Sequence, residues 1–283
     1  MRPRRKLRER NKMTNSIPDL DDVFDIAVKA SLSSACILKE TWMSSAASVL
    51  KRTKHDVKLS ADINSEKTII EIIKQCRPQD GIIAEEGGES QINNDGVWII
   101  DPLDGTVNFS HGHPHFCLSI AWLWKNVIYV GVIYDVVRNE LFSAVRGRGA
   151  KLNGAKISVS ETNNLGQSMI GVGFGQSIPQ GEGKINFDAL GLKVQKLRIS
   201  GSAALDMAYV ACGRLDAYVE SSIFVWDVAA GSVIIEEAGG KVCLWHKDKS
   251  FMRKCIASNK ILFDKIIKHQ TGFNPTEIKP LID

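Results

Sequence analysis

The chain has 283 residues, 44% hydrophobic and 24% charged, with a formal net charge of +4. That composition can bury a substantial core, as one large domain or two small ones. No run approaches the roughly 18 apolar residues that a membrane-spanning helix needs, and the longest apolar block, Val127 to Tyr134, suits a buried strand. The positive charge is concentrated at the start: Arg2, Arg4, Arg5, Lys6, Arg8, Arg10 and Lys12 against Glu9 give +6, leaving −2 for the remainder. A mildly acidic body argues against a nucleic-acid-binding surface on it. The leader lacks the apolar core of a secretory signal. Residues 1–15 read as a solvated basic tail, or as an upstream extension with Met13 the true initiator, in preference to a targeting address. Residues 16–283 then form the folded domain. Cys36, Cys76, Cys117, Cys212, Cys243 and Cys255 are scattered without a CxxC pair, which fits reduced thiols and a cytoplasmic location.

In chain order, Val23, Ile26, Ala27, Ala30, Ile37, Leu38 and Trp42 recur at helical spacing between Leu20 and Leu50, after Pro18-Asp19. A second helix fits Asp62 to Cys76 and stops at Pro78. Short strands follow at Gly81–Ala84 and Val97–Ile100, each ending in acids: Glu85-Glu86 and Asp101. Further strands are expected at Phe116–Trp124, Val127–Asp135 and Glu140–Val145, then a Gly-rich turn at Gly147–Gly149. The polar stretch Gly175–Gly183 is the candidate loop or subdomain join. Beyond it come a strand at Val194–Ile199, a helix at Ser202–Cys212, a strand at Asp216–Glu220 and a helix at Val228–Glu237 closed by Gly239-Gly240. Such alternation points to a layered mixed α and β protein.

The chemistry concentrates in Trp98-Ile-Ile-Asp-Pro-Leu-Asp-Gly-Thr106. An apolar strand delivers Asp101, Pro102 restricts the backbone, Asp104 follows in a turn, and Thr106 stands where a helix can begin, with unpaired N–H groups for an anion. Two aspartates so spaced can approach adjacent hard cations, and two such cations can stabilise both oxygens of a phosphoryl displacement. Spacing alone fits equally a capping role for Asp101 and a turn role for Asp104. Glu85, at the end of a neighbouring strand, can meet Asp101 across the sheet. Asp227, after Trp226, starts a helix, where it could also be only an N-cap. Four acids at element ends, beside two helix starts, make a metal-phosphate site.

Glu85-Glu86, Trp98-Ile-Ile-Asp-Pro-Leu-Asp-Gly-Thr-Val-Asn-Phe109 and Trp226-Asp-Val-Ala-Ala-Gly231 resemble the signatures of the inositol monophosphatase family. Asp56…Ser60-Ala-Asp62 and Gly201-Ser-Ala-Ala-Leu-Asp206, running on to Asp216-Ala-Tyr-Val-Glu220, match as well, and the resemblance extends from about Val23 to about Ile267. It implies an α/β (α+β) fold, a layered αβαβα sandwich of the inositol monophosphatase and fructose bisphosphatase type, usually a homodimer. It also implies two to three Mg²⁺ and lithium sensitivity. Glu85, Asp101 and the Leu103 carbonyl would hold one metal, and Asp101, Asp104 and Asp227 a second. Glu85 and waters would hold a weaker third, with Lys51, or Lys54, nearby. Thr106 would orient the attacking water with Asp56 supporting it, and the Gly105 and Thr106 backbone would receive the phosphate. Ser202, Ala203 and Glu220 would flank the substrate, a small phosphorylated metabolite. An acid at 220 suits a polyol or amino-alcohol phosphate. Inositol and histidinol phosphates both fit; fructose bisphosphate and phosphoadenosine phosphate are more distant. No nucleic-acid or membrane partner is expected. A catalytically silent regulatory protein is the competing class, and the intact set Glu85, Asp101, Asp104, Thr106 and Asp227 speaks against it.

Other features read more plainly. His111-Gly-His-Pro-His115 has a zinc flavour but sits in a loop. Gly171-Val-Gly-Phe-Gly175 lacks a complete nucleotide-loop pattern. Cys117 reads as a buried strand residue, and Trp122 and Trp124 as one face of a strand. Deleting residues 1–12 is expected to leave phosphate-ester turnover unchanged; a large loss in a steady-state assay would show that the tail takes part.

Overall fold

The computed structural model describes residues 17–44, 49–52, 57–92, 94–173, 190–246 and 251–269. The tail at 1–15 and the join at 175–183 lie outside them. Helix α1 (Leu20–Ser44) buries Val23, Ile26, Ala27, Ala30 and Leu38 along one stripe. It stops short of Leu50, which lies instead in strand β1 (Val49–Arg52), antiparallel to β2 (Val57–Leu59). Helix α2 (Ser60–Cys76) begins two residues ahead of the expected Asp62, whose Oδ2 reaches back to accept the Leu59 N–H at 2.7 Å.

Then come β3 (Gly81–Ala84), β4 (Gly88–Ser90), β5 (Gly96–Asp104), the short helix α3 (Thr106–Ser110), β6 (Cys117–Trp124), β7 (Val127–Asp135), β8 (Glu140–Val145), β9 (Ala150–Leu152) and β10 (Ala155–Lys156). The strands form an eight-stranded sheet in the order β10-β9-β8-β7-β6-β5-β3-β4, with β3 and β5 parallel and the other neighbours antiparallel. The period-two alternation of strands divides its side chains. Trp98, Ile100, Ile120, Trp122, Val130 and Val132 pack under α1 and α2, while Val97, Ile99, Ala121 and Ile133 face the opposite way. Burying two indoles under the helices requires an acceptor for their N–H groups. Asp80 supplies it: its Oδ2 accepts from Trp98 at 3.0 Å, Trp122 at 2.9 Å and Arg77 Nε at 2.6 Å. Trp124 stacks on Trp122 with ring centroids 5.7 Å apart, as expected for one strand face.

The second half contributes β11 (Met169–Val172), β12 (Lys196–Arg198), α4 (Ala203–Ala211), β13 (Ala217–Phe224), α5 (Val225–Glu237), β14 (Lys241–His246), β15 (Met252–Ser258) and α6 (Lys260–Ile267). Its five-stranded sheet has the order β12-β11-β13-β15-β14. Helices α4 and α5 are apolar on nearly every side because they fill the space between the two sheets. Leu262, Phe263 and Ile266 of α6 cover the outer face through Ile170, Val219 and Ile256. The layers therefore run α1/α2, eight-stranded sheet, α4/α5, five-stranded sheet, α6, the αβαβα order that the resemblance implies.

Helix α5 begins at Val225, three residues ahead of the expected Val228. Asp227 is thus its third residue and not its N-cap, and Oδ2 accepts the Phe224 N–H at 3.1 Å. The helix lies so close to β7 that a Cβ on Gly131 would sit 2.6 Å from the Ala230 carbonyl oxygen and equally near Val233 Cγ1. Gly131→Ala is expected to lower stability by about 1–3 kcal/mol through overpacking, seen as a lower urea midpoint with an unchanged slope.

Candidate metal centre

Residues three apart in a regular strand point to opposite faces. Asp101 and Asp104 escape this because β5 is irregular between them. Asp101 pairs with Ser119 and Asp104 with Cys117, so three steps along β5 match two along β6. The extra residue is a bulge, which re-aims the strand. Pro102 and Leu103 lie in it, where a missing donor is tolerated. The turn expected from Pro102 is therefore a bulged strand running through Asp104. Glu85 follows β3, and the parallel register Ala84↔Ile100, with the Glu85 N–H on the Ile100 carbonyl at 3.3 Å, sets it beside Asp101. Asp227 arrives from the first turn of α5. Carboxylate oxygens of Asp101, Asp104 and Asp227 all lie within 4.8 Å of one another, in the wall of a cavity of about 340 Å³ that Glu85, Glu220 and Thr106 also line.

These acids are only partly satisfied by the protein. Asp101 Oδ1 accepts the Leu103 N–H at 2.9 Å, whereas its Oδ2 is buried with no hydrogen-bond partner. Asp104 Oδ2 accepts from Ser202 Oγ at 2.6 Å and from the Ala204 N–H at 2.7 Å, tying β5 to the start of α4. Burial pushes the Asp101 carboxyl well above the usual carboxylate range, and the charges of Asp104 and Asp227 push it further. Burial likewise raises Asp227, with the charges of Asp104 and Glu85 adding to it, and raises Glu85, with the charge of Asp101 adding to it. Asp104 is raised by burial and partly relieved by Ser202 and Ala204. An orphaned buried oxygen among crowded hard donors is what a divalent cation would satisfy.

Gly105 takes φ 92°, the left-handed region, and a Cβ there would stand 3.0 Å from the His115 carbonyl oxygen; glycine alone accepts both conditions without strain. Thr106 then opens α3 and donates from Oγ1 to the Leu103 carbonyl at 2.9 Å. Ala203 and Ser202 line the same cavity. Lys51 lies on β1, but its side chain is outside the described residues, as are Asp56 and Lys54. The three histidines do not converge: His111 and His113 are exposed, while His115 is buried, 3.7 Å from Asp206 and edge-on to Tyr209.

Several cavity residues have no role in the sequence reading. Asn108 Nδ2 donates to the carbonyls of His115 at 2.7 Å and Ser200 at 2.8 Å, joining α3 to the segment before α4. Tyr218 donates its hydroxyl to Glu220 Oε2. The signal for Tyr218 is its spacing, two residues before Glu220 on one strand, which places both on one face.

The inositol monophosphatase family model matches residues 19–273. The chain belongs to the inositol monophosphatase family. It is 46% identical over 200 residues to the Nus factor SuhB of Xylella fastidiosa, covering 69% of this chain and 71% of that one. It is 41% identical over 227 residues to an inositol-1-monophosphatase of Synechocystis sp., covering 79% of each. The structure of inositol monophosphatase from Anabaena (Nostoc) sp. superposes with a TM-score of 0.78 at 37% identity, over 93% of this chain and 99% of that one. Membership of the inositol monophosphatase family supports phosphatase chemistry and metal binding at this acidic cluster. No helix among the described residues is long and apolar enough to cross a membrane.

A carboxyl whose folded pKa is raised binds its proton more tightly when folded than when unfolded. Its effect on stability is therefore absent below the unfolded value near 4 and becomes a growing penalty as pH rises toward the folded value. Asp101→Asn, which removes a charge from the cluster, is expected to raise the melting temperature of the chelator-treated protein at pH 7 by roughly 2–4 °C per kcal/mol relieved. The gain over the unmodified protein should shrink on going to pH 5. A gain that is the same at both values would contradict a charge-repulsion origin.

Proposed function

We propose that the chain is a Mg²⁺-dependent phosphatase acting on the phosphate monoester of a small polyol or amino alcohol, foremost inositol 1-phosphate, with water as the nucleophile. The observation that carries this reading is the convergence of Glu85, Asp101, Asp104 and Asp227 on one cavity, with Asp101 Oδ2 buried and unpartnered. In this reading Glu85, Asp101, Asp104, Asp227 and the Leu103 carbonyl would hold two to three Mg²⁺. Bound there, the cations would neutralise phosphate oxygens and acidify a bound water. Phosphate-monoester hydrolysis is extremely slow without help, so charge neutralisation and positioning are the main catalytic needs.

The protein groups then have separate tasks. Thr106 Oγ1 donates its hydrogen bond to the Leu103 carbonyl, which leaves its lone pairs to accept from the attacking water and fix its orientation. The backbone of Gly105 and Thr106 receives the phosphate at the start of α3. Ser202 and Ala204 immobilise Asp104 Oδ2, leaving Oδ1 for the cation. In this reading Lys51 would stand near the third cation and Asp56 would support Thr106. Ser202, Ala203 and Glu220 meet the alcohol portion. Residues 16–283 act as one phosphatase domain, homodimeric and cytoplasmic; free cysteines support the location.

The name inositol-1-monophosphatase of the Synechocystis relative supports the substrate. Histidinol phosphate is the alternative within the class, ahead of fructose bisphosphate and phosphoadenosine phosphate. The name Nus factor carried by relatives favours a second reading, a regulatory binding protein. The complete carboxylate set supports the enzyme over it.

A panel of inositol, histidinol, fructose and adenosine phosphates, with and without Mg²⁺ and Li⁺, tests this. Mg²⁺-dependent phosphate release, fastest from inositol 1-phosphate and inhibited by Li⁺, is expected. Release from none of them between neutral and alkaline pH would favour the regulatory reading. Asp104→Asn should lose roughly a thousandfold in kcat, since removing a cation's charge is worth several kcal/mol. Its thermal transition should persist, because an amide oxygen can still accept from Ser202 and Ala204. A fully active Asp104→Asn protein would sink the assignment.

A further inference from the structure

We propose that Tyr218 and Gly173 are positioning residues that hold the Glu220 carboxylate in place as an acceptor for a hydroxyl or ammonium group of the substrate. The inference rests on the phosphatase reading and narrows its substrate class.

Strand β13 alternates here. Val219 turns into the outer core against α6, whereas Tyr218 and Glu220 turn to the cavity and line it. Both are buried, at 2% and 6% exposure. The Tyr218 hydroxyl donates to Glu220 Oε2. Burial first, and the Glu220 charge second, push the phenol well above its ordinary pKa, so it stays a neutral donor and the bond is a charge-assisted one to a carboxylate.

The seat of the carboxylate also depends on the absence of a side chain. Gly173 ends β11, with its N–H on the Val219 carbonyl at 3.3 Å. A Cβ on Gly173 would lie 2.1 Å from Glu220 Oε2 and 2.3 Å from Cδ. The carboxylate thus occupies the space that any side chain at 173 would take. The Tyr218 donor and the bare backbone at 173 both meet Oε2 and together restrict its orientation. Beyond Glu220 the strand is irregular: Glu220 pairs with Cys255 and Ile223 with Arg253, three steps against two, after which the chain reaches Asp227. Glu220 and the acidic cluster therefore line one cavity, joined by this bulged end of β13.

An ionised carboxylate only accepts hydrogen bonds. A matching substrate group must donate, as a hydroxyl or ammonium does. A second phosphate placed there would meet like charge. An alcohol portion that carries a donor thus gains a contact that a donor-free one lacks.

The test compares inositol 1-phosphate with p-nitrophenyl phosphate, whose ring offers no donor, at saturating Mg²⁺. The proteins are the unmodified chain, Tyr218→Phe, Gly173→Ala, Glu220→Gln and the double variant Tyr218→Phe/Glu220→Gln. Tyr218→Phe and Gly173→Ala should each lower the ratio of kcat/KM for inositol 1-phosphate over p-nitrophenyl phosphate by about tenfold, mostly through KM, since a lost hydrogen-bonded fit is read as discrimination. Adding Tyr218→Phe to Glu220→Gln should change the ratio less than twofold, because the residue acts through Glu220. Equal losses on both esters, no change in the ratio, or full additivity with Glu220→Gln would overturn the proposal. If the unmodified protein hydrolyses neither ester, the phosphatase reading itself falls and takes this inference with it.

Discussion

Like charges brought out of water repel, and this chain is folded so that four of them cannot separate. Asp101 and Asp104 are fixed to one strand on either side of a bulge. Glu85 is fixed by the parallel register of β3 on β5. Asp227 is fixed by α5, which is wedged between the sheets against the bare backbone of Gly131. None of these restraints comes from the acids themselves. They come from backbone pairing and from apolar packing that includes Val97, Ile99, Val228 and Ala229. Core burial supplies the free energy that keeps an unfavourable electrostatic arrangement in place. The arrangement becomes favourable only when a cation is shared among the carboxylates, a case in which breaking or completing the charge set matters more than any single pair.

The same backbone device serves both halves of the cavity. In β5 an extra residue between Asp101 and Asp104 brings two acids to one side. In β13 an extra residue between Glu220 and Ile223 turns the chain toward α5 and Asp227. Each bulged strand is followed closely by a helix, α3 in one sheet and α5 in the other. The eight-stranded sheet thus supplies Glu85, Asp101 and Asp104, the five-stranded sheet supplies Glu220, and the helix layer between them supplies Asp227. The cavity exists because the two sheets meet there.

Much of this was legible in the residues. Gly81–Ala84, Val127–Asp135 and Glu140–Val145 are strands with the bounds their apolar patterns indicate, and the acids at strand ends do come together. What was not legible depends on pairing and on packing between distant segments. Pro102 reads as a turn former, and only the register against Ser119 and Cys117 reveals a bulge. Trp226-Asp227 reads as the residue pair before a helix, because an acid near a helix start looks like an N-cap; packing starts α5 earlier and leaves Asp227 to reach back to Phe224. Strands β14 and β15 carry apolar residues on both faces between Lys, Arg and His, so their alternation is blurred. Gly173, inside the incomplete nucleotide-loop pattern Gly171–Gly175, gives no sign in the sequence that the Glu220 carboxylate fills its side-chain space. The His111–His115 run reads as a loop, and only the structure shows His115 buried in it beside Asp206 and Tyr209.

The most direct measurement is a crystal of the protein soaked in Mn²⁺ and examined by anomalous scattering. Mn²⁺ accepts the same hard oxygen donors as Mg²⁺. The account predicts anomalous peaks bonded to carboxylate oxygens of Asp101, Asp104 and Asp227, roughly 2.0–2.3 Å away, with Asp101 Oδ2 among the ligands. Saturating Mn²⁺ that leaves the cluster without a peak, with these carboxylates still paired by protons to one another, would contradict it.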